Sequence, residues 1–145
     1  MRVLITIILA CMIAAACQTA VPDSAEVYVI ISGFKSDLGY CRLLFYKSSK
    51  GFPEDPDNAF IIKSGKIVDK KAGFTFKAGL GTYAISILHD ENSNEKLDKT
   101  WYGKPKEGFG ISNNPKVRFG PPSFDESALL LEKGKNSITI RMIYL

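Results

Sequence analysis

The chain has 145 residues, of which 46% are hydrophobic, 11% aromatic and 23% charged, with a formal net charge of +4. These are the proportions of an ordinary one-domain globular protein, and they exclude a disordered tail, a collagen-like rod, a disulfide-stapled miniprotein and a polytopic membrane protein.

The chain starts on a positive charge, Arg2, followed by Val3 to Ala16, an apolar run of fourteen residues in which only Thr6 is polar. A spanning helix needs about 20 apolar residues. A short run with a basic start and small residues at its end reads instead as a secretory signal occupying residues 1–20. Two modes of cleavage stand open. Ala14-Ala15-Ala16-Cys17 is similar to a bacterial lipobox, which would make Cys17 a lipidation site. Ala14 and Ala16 also satisfy an ordinary small-x-small rule. The expected location is the bacterial periplasm or the outer membrane, held there by the lipid on Cys17, with free secretion as the alternative. Any membrane contact is expected only through that anchor.

Without residues 1–20 the chain loses Arg2 and no acid, leaving 18 basic residues against 15 acidic ones. That weak, scattered excess argues against nucleic acid as a partner. Cys41 then stands alone in an apolar segment, as a buried free thiol would, and no disulfide framework exists.

Residues 21–145 read as a single all-β domain. Glu26–Ser32 and Tyr40–Tyr46 are rich in β-branched and aromatic residues and are separated by turn-like Gly33–Gly39. After the turn formers of Ser48–Asn58 come Ala59–Lys63, a turn at Ser64-Gly65, then Lys66–Val68 and Gly73–Lys77. Thr82–His89 alternates, with Tyr83, Ile85 and Ile87 on one face and Ala84, Ser86 and Leu88 on the other. Ser127–Glu132 and Ser137–Tyr144 end the chain, with Lys133-Gly134-Lys135-Asn136 expected as a hairpin turn between them. About seven short strands and no amphipathic helix predict an antiparallel two-sheet sandwich, with a small closed barrel as the competitor.

Asp90 to Asp125 breaks the rhythm: 36 residues carry almost no alternation. Loops beyond about 15 residues are uncommon in compact domains unless functional or disordered. This one holds Trp101, Tyr102, Phe109, Ile111, Val117, Phe119 and Phe124, so it is expected to be a packed excursion and the place for a site. It opens with Asp90-Glu91-Asn92-Ser93-Asn94-Glu95-Lys96-Leu97-Asp98. Asp90, Asn92, Asn94 and Asp98 carry side-chain oxygens at positions 1, 3, 5 and 9, and Lys96 at position 7 offers its carbonyl. Calcium takes six to eight oxygens, and a tight loop can aim alternate side chains at one point. The loop is no EF-hand, because Glu95 replaces the glycine of position 6 and Trp101 the glutamate of position 12. A further acid would come from Glu107, Asp125 or Glu126. The same spacing also suits an Asx-rich turn bonded to its own backbone.

Three other features bear on function. His89, the lone histidine, stands beside Asp90, and with Glu107 and Tyr102 it would be the core of a cell-envelope enzyme. No activated serine or cysteine accompanies it, successive strand residues face opposite ways, and no catalytic residue is assigned. Trp101, Tyr102 and Phe109 on a Gly/Pro framework are a candidate platform for a glycan or an envelope protein. The leading expectation is a binding or structural module rather than an enzyme.

The ordered set GF…EDPDNAF, LGTY, HDENSNEKLD, WYGKPKEGFGISNN and FGPPSFDESA resembles the exported bacterial family known as domain of unknown function 2141. The resemblance runs from about Glu26 to Leu145 and implies a signal peptide followed by one β-sandwich, Ig-like or transthyretin-like. It implies no activity. Family versions usually read HDENGNGKLD, so Ser93 and Glu95 stand where those glycines fall.

Overall fold

The computed structural model describes residues 23–145. The expected signal and Cys17 lie outside these residues. The elements follow in the order β1 (Ser24–Ser32), β2 (Tyr40–Tyr46), β3 (Ile61–Gly65), β4 (Lys71–Gly79), β5 (Gly81–Asp90), β6 (Phe109–Ile111), α1 (Phe124–Ser127), β7 (Leu129–Leu131) and β8 (Gly134–Arg141). They form two sheets, one ordered β4-β1-β8 and the other β3-β2-β5-β6, with β7 paired to the start of β5. The protein is the all-β sandwich its alternation predicts. Among the described residues no helix is long and apolar enough to cross a membrane.

Alternation decides which faces meet. Ala25, Val27, Val29 and Ile31 of β1 and Ile138 and Ile140 of β8 point inward. They pack against Cys41, Leu43 and Phe45 of β2 and Tyr83, Ile85 and Ile87 of β5. Phe45 is fully buried, stacks on Tyr83 at 4.5 Å and meets Phe76 edge-on at 5.2 Å. Burying one such ring is worth about 1.5–3 kcal/mol. Cys41 is buried and free, and burial pushes its thiol up to about 12, so it behaves as a small apolar side chain.

The second sheet departs from a half-exposed pattern. From Tyr83 to Asp90 every residue of β5 is buried, on both faces. The covering comes from two excursions. Ser86 Oγ donates to Pro53 O at 2.6 Å, Tyr46 Oη donates to Asp55 O at 3.0 Å, and Phe52 meets the Tyr46 ring edge-on. Further along, Arg42 is only 8% exposed and pairs with Glu95 at 3.0 Å. The segments after β2 and β5 therefore fold back over the outer face of their own sheet.

Three expectations need correction. The turn expected at Ser64-Gly65 lies instead at Asp69-Lys70, where both residues have positive φ and Val68 bridges Lys71. Asp37 holds this turn by accepting from Asp69 N at 3.0 Å and Lys70 N at 2.8 Å, so residues 66–68 form no strand of their own. Second, Lys133–Asn136 is not a hairpin turn. β7 pairs with β5 and β8 pairs with β1, so the chain crosses between sheets there. The Asn136 amide closes the crossing by accepting from Glu132 N and donating to Glu132 O. Third, pairing is not wholly antiparallel, because the first and last strands, β1 and β8, run parallel.

One side of the sandwich is closed. Phe109 and Ile143 exchange backbone hydrogen bonds of 3.0 and 2.7 Å, linking β6 to the chain just after β8. Gly110 permits the approach, since a Cβ there would stand 2.8 Å from Ile140 Cγ2. Next to this junction Asn114 donates through Nδ2 to Thr139 O at 2.9 Å and accepts from Arg141 N at 2.8 Å.

Gly39 lies where the turn before β2 touches the end of β5. Its φ is +69°, and a Cβ would fall 2.0 Å from Asp90 O and 2.7 Å from Glu91 Cα. Gly39→Ala is therefore expected to lose at least about 2 kcal/mol, from left-handed strain plus steric displacement, measured by urea denaturation.

Candidate functional site

The end of β5 presents two neighbouring polar residues to opposite sides of the sheet. Asp90, 1% exposed, turns outward under the following loop. Its Oδ1 accepts from Asn94 N at 3.1 Å and its Oδ2 from Glu95 N at 2.9 Å. A buried carboxylate needs such partners, because leaving it unsatisfied costs its full desolvation. Asn94 N also lies 3.2 Å from Asn92 Oδ1, and Lys96 N donates to Asn94 Oδ1 at 2.9 Å, giving successive Asx turns. The two amides reach across to one acid: Asn92 Nδ2 donates to Asp98 Oδ2 at 2.7 Å and Asn94 Nδ2 to Asp98 Oδ1 at 2.9 Å.

Asp90, Asn92, Asn94 and Asp98 are thus gathered by direct hydrogen bonds. Lys96 joins them only through its backbone. Glu107 lies next to this group, 6% exposed, and accepts from Glu91 N at 3.0 Å and Asp98 N at 3.1 Å. It ties both ends of the loop together from just before β6. Of the other acids considered, Glu126 belongs elsewhere, in the capping box of α1 with Ser123, whose N–H and hydroxyl hold its carboxyl below the usual range. Asp125 sits in the same first turn of that helix.

The loop needs left-handed backbone at two points. Ser93 has φ +60° and Glu95 φ +66°. A non-glycine residue there costs about 1–2 kcal/mol. Glu95 offsets part of this through Arg42, whose guanidinium is nearly buried; Ser93 makes no comparable pair.

His89 faces the core and is fully buried. Nε2 lies 2.9 Å from Leu38 O, an acceptor, so that nitrogen carries the hydrogen. Nδ1 then accepts from Tyr144 Oη at 2.8 Å, and the same hydroxyl accepts from Lys35 N at 3.0 Å. Burial pushes the Tyr144 phenol up, which keeps it a donor. Phe34 meets the imidazole edge-on at 5.2 Å. His89 and Asp90 therefore have separate partners on separate faces, while Tyr102 lies out on the surface, 61% exposed. The four side chains named for an enzymatic site do not converge. Tyr144 and the Leu38 carbonyl, which complete the histidine's bonding, lie 55 and 51 residues away in sequence, and no spacing rule points to them.

The aromatic platform is divided. Trp101 and Tyr102 share an exposed turn, at 95% and 61% exposure, with rings edge to face at 5.2 Å. Phe109 is half-buried in β6, opposite Leu88. Phe119, in the Gly/Pro stretch 119–124, is 99% exposed. A cavity of about 410 Å³ is lined by Asp37, Gly39, Tyr40, Lys66, Glu91 and Asn92 beside the loop. Among the described residues no three His, Cys, Asp or Glu side chains gather as a ready metal cluster.

Fold and loop together define a two-sheet β-sandwich capped by an internally bonded Asx crown. The chain belongs to the bacterial family of uncharacterised proteins designated DUF2141, whose pattern it matches over residues 29–139. No curated protein and no solved structure matches it.

Asp90→Ala is expected to destabilise the fold by about 2–4 kcal/mol, since the amides of Asn94 and Glu95 lose the buried carboxylate that accepts from them. Ser93→Gly, by contrast, is expected to stabilise it by about 0.5–1 kcal/mol, the left-handed strain relieved less the entropy of glycine. Thermal or urea unfolding of the pair reads both signs, and a destabilised Ser93→Gly would contradict the strained-turn account.

Proposed function

We propose that the protein is an exported β-sandwich module that binds or supports rather than catalyses, and that its 90–98 crown takes up a weakly held calcium ion. The observation that carries this reading is the gathering of Asp90, Asn92, Asn94 and Asp98 by contacts of 2.7 to 3.2 Å. Two carboxylates balance the charge of Ca²⁺. The two amides turn their oxygens inward by rotation about their terminal bonds, and the Lys96 carbonyl adds a further donor. Glu107 holds the loop closed through the amides of Glu91 and Asp98, while Asp90, whose oxygens also accept from backbone amides, keeps a second lone pair on each oxygen for the ion.

Such a donor set fits the affinity range of extracellular modules, about 0.1–1 mM. The ion would act structurally, replacing amide-to-carboxylate hydrogen bonds with metal–oxygen bonds and stabilising the folded form by linkage. The bonding of His89 supports a structural role for that residue, and export rests on the character of residues 1–20.

Melting in 5 mM calcium against chelator tests the ion. Linkage at those affinities gives about 1–2.3 kcal/mol, read as a rise of a few degrees in Tm. Asp98→Asn, with one carboxylate left, is expected to abolish the rise while the chelated protein melts close to the parent. Identical melting of the parent in both media would remove the ion and leave a crown held by its own amides.

A further inference from the structure

Lys99–Lys106 forms a small hairpin that stands off the sandwich. Thr100 N donates to Lys104 O at 2.8 Å, Gly103 N donates to Thr100 O at 2.9 Å, and Lys99 bridges Pro105. This closes a turn with Trp101 and Tyr102 at its apex. An indole 95% in water on a turn tied by hydrogen bonds forgoes the burial that the domain's core aromatics obtain. A second apex of the same make-up is Phe119, 99% exposed, beside Arg118 and followed by Gly120 at φ +78°. Both excursions are fastened to one segment: Lys99 pairs with Glu54, and Phe124 meets Phe52 edge-on at 5.8 Å.

Charge singles out the partner. Residues 99–106 and 115–123 contain Lys99, Lys104, Lys106, Lys116 and Arg118, all exposed, and no acid. We propose that these two apices dock the protein peripherally on an anionic phospholipid bilayer. Tryptophan and tyrosine prefer the headgroup level of a membrane, with one end apolar and the other wet, and lysines around them complement anionic lipid. The apices are convex, as insertion into a lipid surface requires. A sugar site is disfavoured by the same residues. The two rings meet at 84° rather than offering one flat face, and neither stretch contains an acidic or amide side chain to bond sugar hydroxyls. The docking depends neither on calcium at the crown nor on lipid at Cys17.

Trp101 is the only tryptophan of the chain, so its fluorescence reports the apex in the full-length protein however the rest of the chain meets a vesicle. Phosphatidylglycerol-containing vesicles are expected to shift its emission to shorter wavelength, and brominated acyl chains to quench it. Phosphatidylcholine vesicles alone should do neither. Lys104→Ala/Lys106→Ala is expected to weaken partitioning about 25-fold, from about fivefold per lysine, and high salt should weaken it too. Both lysines are exposed, so circular dichroism of this variant should match the parent. Unchanged emission with anionic vesicles overturns the proposal, as does an equal response to phosphatidylcholine. A shift produced by soluble oligosaccharide without vesicles would overturn it in favour of a carbohydrate platform.

Discussion

The buried carboxylate of Asp90 is the constraint on which the outer layer of this protein depends. It ends β5, the strand that pairs with β2, β6 and β7, and it has almost no access to water. Its oxygens are satisfied only if the chain turns back at once and presents the amides of Asn94 and Glu95. That reversal brings Glu95 to Arg42, Asp98 to the amides of Asn92 and Asn94, and Glu107 to both ends of the loop. Left-handed backbone at Ser93 and Glu95 follows from the same demand. The strain is tolerated because unsatisfied burial would cost more.

One residue earlier, the same strand solves a polar problem on its inner side. His89 is fixed by Leu38 O and the Tyr144 hydroxyl, which joins the turn before β2 and the last residues of the chain to the end of β5. A strand end that anchors loops on both faces gives the polar residues there architectural work. The arrangement explains how a histidine–aspartate neighbour pair can exist without a shared reaction site.

Much of this was legible in the amino-acid order, and for identifiable reasons. β1 and β5 announce themselves because they are long and carry β-branched residues in alternation, β2 through its aromatic and apolar run, and Asp90/Asn92/Asn94/Asp98 because their side-chain oxygens recur at spaced positions. Legibility fails where a distant group supplies the bond. The turn at Asp69-Lys70 exists because Asp37 accepts its amides. The crossing at Glu132–Asn136 resembles a hairpin because one side-chain amide imitates a strand partner. β6 is only three residues long, and it pairs because Gly110 lets it approach β8. The double burial of β5 could not be read from its own pattern, since the covering comes from two loops whose path is set by Ser86, Tyr46 and Arg42.

Asn114 has a consequence of a different order. A strand at the border of a sheet offers free amides and carbonyls to any extended chain that arrives, which is how soluble sandwiches begin to assemble edge to edge. On β8 the groups at Thr139 and Arg141 are already taken by this one side chain, and those of Ile143 by Phe109. A single asparagine thus stands in for a missing strand at the Thr139–Arg141 end of that border, and denies this stretch to a second molecule as a template for polymer growth.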